Sequence, residues 1–144
     1  MVSEALTQLF PNLTFGPSGD CEVRDDGRGP YIAAWRRPEP RPTDAEIAAA
    51  ALPAAQAAKR LAIKQAARQI ILARYPEWRQ ANLTARAVEL VSLNETSGPE
   101  WQQMQSIWAW IKDVRARSDL LEADVAGCTT VEAVEGIVIG GWPE

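Results

Sequence analysis

The sequence contains no histidine, which removes the commonest general base, proton shuttle and metal ligand at once. Serine and cysteine nucleophiles would have only carboxylates or lysines to activate them. The acidic groups on offer, Asp25-Asp26 and Asp119-Glu122-Asp124, fall in a turn and at a helix end, where solvated charge is the default. No glycine loop that could cradle a phosphate precedes a helix, because GRGP at 27–30 ends in proline between two candidate strands. The expectation is a protein that is not an enzyme, with no catalytic, cofactor-binding or metal-binding residue and no cofactor. Cysteine is scarce too. Cys21 and Cys128 stand far apart with no motif around them, so two buried thiols are expected rather than a disulfide. No apolar run approaches the roughly 20 residues of a membrane span, and MVSEALTQLF lacks the basic start and apolar middle of a secretory signal. A net charge of −4 gives no reason to expect nucleic acid or an anionic membrane as the main ligand.

Tryptophan is what the 144-residue chain has in quantity, and three of its six lie in one stretch, Pro99 to Glu122. Pro99 suits the first position of a helix, with Gly98 or Ser97 as cap and Glu100 in the first turn. Trp101, Met104, Trp108, Ile111, Arg115, Ser118 and Leu121 follow 3,4 spacing, and Ile107, Trp110 and Val114 widen the stripe to a second flank. Two helices precede it. Ala54 to Tyr75 carries Ile63, Ala67, Ile70 and Ile71 on its apolar side; Lys59, Arg60, Lys64, Arg68 and Arg74 make it basic. Those charges read either as a nucleic-acid surface or, preferably, as a solvated face pairing with the acidic C-terminal third. Pro76 ends that helix and opens another, through about Asn94, with one stripe at Trp78, Ala81, Ala85, Val88 and Ser92 and a second at Leu83, Ala87, Leu90 and Val91. Short connections favour an antiparallel three-helix packing unit over 54–126, with Trp78, Trp101 and Trp108 at its centre.

Ahead of this unit, residues 1–10 read as a short helix stopped by Pro11, and Glu22–Arg24 and Tyr31–Ala33 as strands of a hairpin turning at Asp26–Gly29. Residues 36–43, RRPEPRPT, read as an extended proline-rich spacer. Thr43 or Asp44 caps an alanine-rich helix that Pro53 is expected to interrupt, leaving a thin, exposed connector. After Gly127, Thr129 or Thr130 caps a short helix from Val131 to Glu135. The closing GIVIGGWPE is apolar and β-branched, either a tail docked on its own domain or an adhesive segment that pairs with a partner as a strand or inserts Trp142. The fold class is α+β, mostly α. The expected divisions are an N-terminal hairpin module at 1–37, a proline/alanine-rich linker and connecting helix at 38–53, the helical domain at 54–126, and a short helix with an apolar tail at 127–144.

Residues 23–49, with Asp25, Asp26, Gly27, Gly29, Tyr31, Ile32, Trp35, Pro40, Pro42 and Thr43 in place, resemble the start of small tailed-phage proteins of the XkdW type: an acidic DDG turn, a Gly-x-Tyr-Ile-x-x-Trp strand and a Pro-x-Pro-Thr linker entering an alanine-rich helix. Residues 71–90 and 108–124 are similar to helical regions of phage tail and tail-fibre-associated proteins, as is the closing 134–143. The resemblance implies a role in attaching or folding the tail fibre; the reading adopted is a protein that attaches the fibre to the tail, located in the virion tail and in the host cytoplasm during assembly. Its partner would be a tail-fibre or baseplate protein, with self-association an open alternative and no membrane involved. A tail-fibre assembly chaperone absent from the mature particle is the alternative, and a helical nucleic-acid-binding regulator the second. The partner-binding residues expected on the residues' own chemistry are Tyr31 and Trp35 in the hairpin and Ile137, Val138, Ile139 and Trp142 in the tail.

Overall fold

The computed structural model describes residues 2–144 and is mostly helical, with a two-stranded antiparallel hairpin near the N-terminus. The elements are α1 (Val2–Leu9), β1 (Cys21–Asp25), β2 (Pro30–Trp35), α2 (Asp44–Arg74), α3 (Glu77–Ser92), α4 (Pro99–Gly127) and α5 (Val131–Gly136). They form two compact units. The first takes the chain up to Lys59 together with Val125–Ile137, and the second comprises Arg60–Asp124 and Val138–Glu144.

The first unit is built on the hairpin. Val23 faces Ile32 and Arg24 faces Tyr31 across the ladder, and the register shifts between Glu22 and Val23. Asp25 closes the turn by accepting the Gly27 and Gly29 amides at 2.8 and 3.2 Å, and both glycines have positive φ. A hairpin this small is marginal alone. Here one face is buried with α1 and α2: Leu6, Leu13, Cys21 and Ile32 form the core, with Phe10, Val23, Trp35 and Ile47 packed against it. Gly19 lies so close to the preceding loop that a Cβ would sit 2.7 Å from the Thr14 carbonyl oxygen. Cys21 and Cys128 are not joined, and Cys128 is half-buried rather than buried.

Two expectations for this unit are corrected. The proline-rich stretch is not a free spacer. Arg36 donates to Gly19 O at 2.9 Å and pairs with Glu22, the Trp35 indole donates to Glu39 O at 2.7 Å, and Pro42 is buried. Nor does Pro53 interrupt the alanine-rich helix, since α2 runs through it for 31 residues. The missing amide deprives only the Ala49 carbonyl, and both Ala49 and Pro53 lie on the exposed side, where water serves that carbonyl and the flanking alanines tolerate the ring. Ala50 and Ala54, on the opposite side, are buried. Thr43 and Glu46 form a reciprocal capping box at the start of α2, with Thr43 N donating to Glu46 at 2.7 Å and Glu46 N to the Thr43 hydroxyl at 3.2 Å.

The acidic side chains that hold the first unit share one behaviour. The Arg37 guanidinium holds Glu39 at about 2, Thr43 lowers Glu46, the Arg24 and Arg36 guanidinia lower Glu22, and the Thr14 amide and hydroxyl lower Asp20. A carboxylate depressed on folding binds fewer protons in the folded than in the unfolded chain. Its contribution is therefore complete above the unfolded value near 4.5 and disappears as pH falls toward the folded one. Hairpin amide cross-peaks followed by NMR should weaken between about pH 4.5 and pH 2, with Glu46→Gln removing part of the pH response.

In the second unit, α4 buries a strict alternation, Met104, Ile107, Ile111, Val114, Ser118 and Leu121. This 3,4 seam selects alternate members of the two flanks read from the sequence. Ala67 and Ile71 of α2, Tyr75, and Ile107, Ile111 and Val114 of α4 make the core, with Leu83 of α3, Trp108, Trp110 and Trp142 packed at its margin. The tryptophan-centred core is thus overturned. Trp78 is 67% exposed, and Trp101 and Trp108 are only half-buried. Indoles are too large for the line of closest helix approach, which goes to β-branched and small side chains. Arg86 ties α3 to α4 by donating to both oxygens of Glu100 at 2.8 and 2.9 Å.

Candidate partner-binding surfaces

The hairpin carries the first candidate surface. Tyr31, next to Pro30 at the start of β2, remains 43% exposed. It borders an apolar groove of about 380 Å³ whose floor is Ile32, Ile47, Ala48 and Ala51 and whose rim includes Val2 and Asp44. β2 pairs only with β1 in a two-stranded sheet, so its other edge has no strand neighbour among the described residues. An open strand edge beside an apolar groove is the arrangement that accepts an added strand, through main-chain hydrogen bonds and pockets for alternate side chains. Trp35 is placed differently. Its indole is half-buried, edge-on to Phe10 at 5.2 Å and hydrogen-bonded to Glu39 O, so it positions the segment after β2.

The tail residues separate in the same way. Ile137 caps α5, Val138 is 81% exposed, Ile139 is half-buried, and none of residues 137–144 forms a strand. Trp142 packs against the core of the second unit. Two clamps hold the tail there: Arg117 donates to Gly140 O at 2.9 Å and the Trp110 indole to Pro143 O at 3.3 Å. Trp110 is itself fixed by Tyr75, edge-on at 5.6 Å, and by the Arg74 guanidinium 4.6 Å over its ring. Gly141 turns the chain with φ of 70°, where a Cβ would meet the Arg117 guanidinium at 3.1 Å.

The basic side chains of α2 are largely engaged within their own units. Lys64 pairs with Glu122 at 3.4 Å, Arg68 with Glu77 at 3.1 Å, Lys59 donates to Glu135 O at 3.1 Å, and Arg74 covers Trp110. Among the described residues no group of three or more Cys, Asp and Glu side chains is placed to hold a metal ion, and no helix is long and apolar enough to cross a membrane.

The segment with the open β2 edge, the acidic turn and the strapped prolines is also the segment that has relatives. Residues 2–60 match the XkdW protein family. That family is phage-related. The XkdW match takes in α1, the hairpin, the proline strap and the first half of α2, ending one residue beyond the point where the first unit's continuous stretch stops. It covers less than half of the chain and does not reach 71–90, 108–124 or 134–143. No curated protein and no solved structure matches the chain.

One surface was missed by reasoning on the sequence. Trp78, Ala81, Ala85, Val88 and Ser92 of α3 are all exposed, whereas Leu83, Ala87 and Leu90, on the opposite side of the helix, face inward. The signal is legible as two 3,4 stripes on one helix, but Trp78 of the outer stripe was expected at the centre of the core.

Proposed function

We propose that the chain is a non-enzymatic structural protein of the phage tail that attaches the tail fibre through protein–protein contacts. The XkdW segment would engage one tail component by accepting a strand at β2, and the second unit would present a different surface. The observation that carries this reading is the open β2 edge with Tyr31 and its apolar groove, set within the segment that matches a phage-related family. The engagement of Lys64, Arg68 and Arg74 by groups of their own unit speaks against a nucleic-acid surface on α2.

Quantitative mass spectrometry of purified particles against the infected-cell lysate tests the reading. A fixed small-integer ratio to the fibre protein in particles is the expected result. Abundance in the lysate with absence from particles would replace it with an assembly chaperone. In particles assembled with Tyr31→Glu, which places a charge on the groove rim, incorporation should fall at least about tenfold.

A further inference from the structure

We infer that the second unit carries a receptor site for an extended Gly-Trp-Pro segment of a partner protein, and that the chain's own tail occupies it. Helix α4 sets the spacing of the site. Trp110 and Arg117 lie two turns apart on one face, so their donor groups stand about 10 Å apart along the axis. The carbonyls they hold, Pro143 O at 3.3 Å and Gly140 O at 2.9 Å, are separated by a stretch of chain that spans about 10 Å when extended. The tail thus runs along α4 in the opposite direction, with one carbonyl at each donor.

The seated tail shows which chemistry the site takes. Both hydrogen bonds go to main-chain carbonyls, which any sequence offers, so selectivity falls to the residues between and beside them. Trp142 packs its indole against the core. Gly141 has φ of 70°, and a Cβ there would stand 3.1 Å from the Arg117 guanidinium, so the residue before the tryptophan must be glycine. Pro143 pre-sets the backbone and brings no amide that would need a partner. The receptor side owes its shape to its own unit. Trp110 is held edge-on by Tyr75 at 5.6 Å and covered by Arg74 at 4.6 Å, and the buried Tyr75 has the Arg79 guanidinium 5.1 Å over its ring. A preorganised aromatic and guanidinium surface that holds backbone carbonyls and one indole anchor is built for a short peptide. The tail has no secondary structure and leaves Val138 and Gly141 exposed, so an incoming segment can exchange with it. Being tethered, it competes at an effective concentration on the order of 1 mM and keeps the site closed to dilute ligands. The inference is independent of the fibre-attachment reading.

The probe is a synthetic peptide of residues 138–144, VIGGWPE, titrated into the isotope-labelled full chain while the Trp110 indole N–H is followed by NMR. Trp142→Ala in the full chain removes the anchor of the resident tail. The peptide should then bind with a Kd of about 10–100 µM, at least about tenfold tighter than to the parent chain. Gly141→Ala keeps every core side chain and loosens only the turn over Arg117, so it should open the site in the same direction even where loss of Trp142 unfolds the unit. A peptide with alanine in place of the tryptophan should not bind, and adding Arg117→Ala to Trp142→Ala should weaken binding about tenfold. No movement of the Trp110 signal in either variant at about 1 mM peptide would overturn the proposal and make the tail a fixed part of the core. Equal binding of the alanine peptide would also overturn it. So would a parent chain that dimerises by exchanging tails, which would make a second copy the occupant.

Discussion

Deleting Val138–Glu144 is expected to destabilise the second unit by about 3 kcal/mol and lower its melting temperature by roughly 10–20 °C. The segment looks dispensable, since it has no secondary structure and ends in Pro143-Glu144. Its value lies in Trp142, which covers one margin of the Ala67–Ile71–Ile111–Val114 core. Burying even half of an indole is worth about 2 kcal/mol. The Arg117–Gly140 and Trp110–Pro143 hydrogen bonds add to this, though both donors are half-buried and recover water when the tail is removed. Thermal melting of the truncated chain by circular dichroism measures the effect, and Trp142→Ala should account for most of it. An unchanged melting temperature would show that the tail is held only by its own exposed surface and is available to a partner.

Ile111→Ala should cost about 3–4 kcal/mol, whereas Trp78→Ala should change monomer stability by no more than about 0.5 kcal/mol. Ile111 is 1% exposed at the centre of the seam, with Ile107 and Val114 one turn away on the same line and Ile71 and Tyr75 across it, so truncation leaves a cavity that the neighbours cannot collapse into. Trp78 is the larger side chain, but two-thirds of it is already in water. Urea unfolding gives both values. Near-equal losses would mean that Trp78 belongs to the core after all.

These two substitutions also mark where reading the chain residue by residue succeeds. Helix α4, a cap at Thr43 or Asp44, the Tyr75–Pro76 boundary and the Asp26–Gly29 turn are all determined by neighbours within a few positions, and each was legible; the reciprocal Thr43–Glu46 pair came from the structure. The candidate site was legible only in part. Tyr31 was named as a candidate because an aromatic strand after a DDG turn is a local pattern, but the groove it borders is lined by Ile47, Ala48 and Ala51 of α2, which sequence spacing cannot bring to it. Trp35 and Trp142 are partner-binding candidates by their apolar size alone. What their indoles rest on, Glu39 O with Phe10 in one case and the α2–α4 core in the other, is a property of the folded chain.

By itself, then, the sequence determined the hairpin and where helix forms, though it read α2 as two pieces, because these depend on backbone preferences and side-chain hydrogen bonds over a turn or two. Pro53 is the exception that shows the limit, since a local rule predicted a break and the solvated side of a continuous helix absorbed it. Only the tertiary structure decided which apolar stripe of a two-striped helix is covered. On α3 both stripes satisfy the same period, and the choice of Leu83, Ala87 and Leu90 over Trp78, Ala81 and Val88 rests on which face packs closely against its neighbours. That choice left a tryptophan in water.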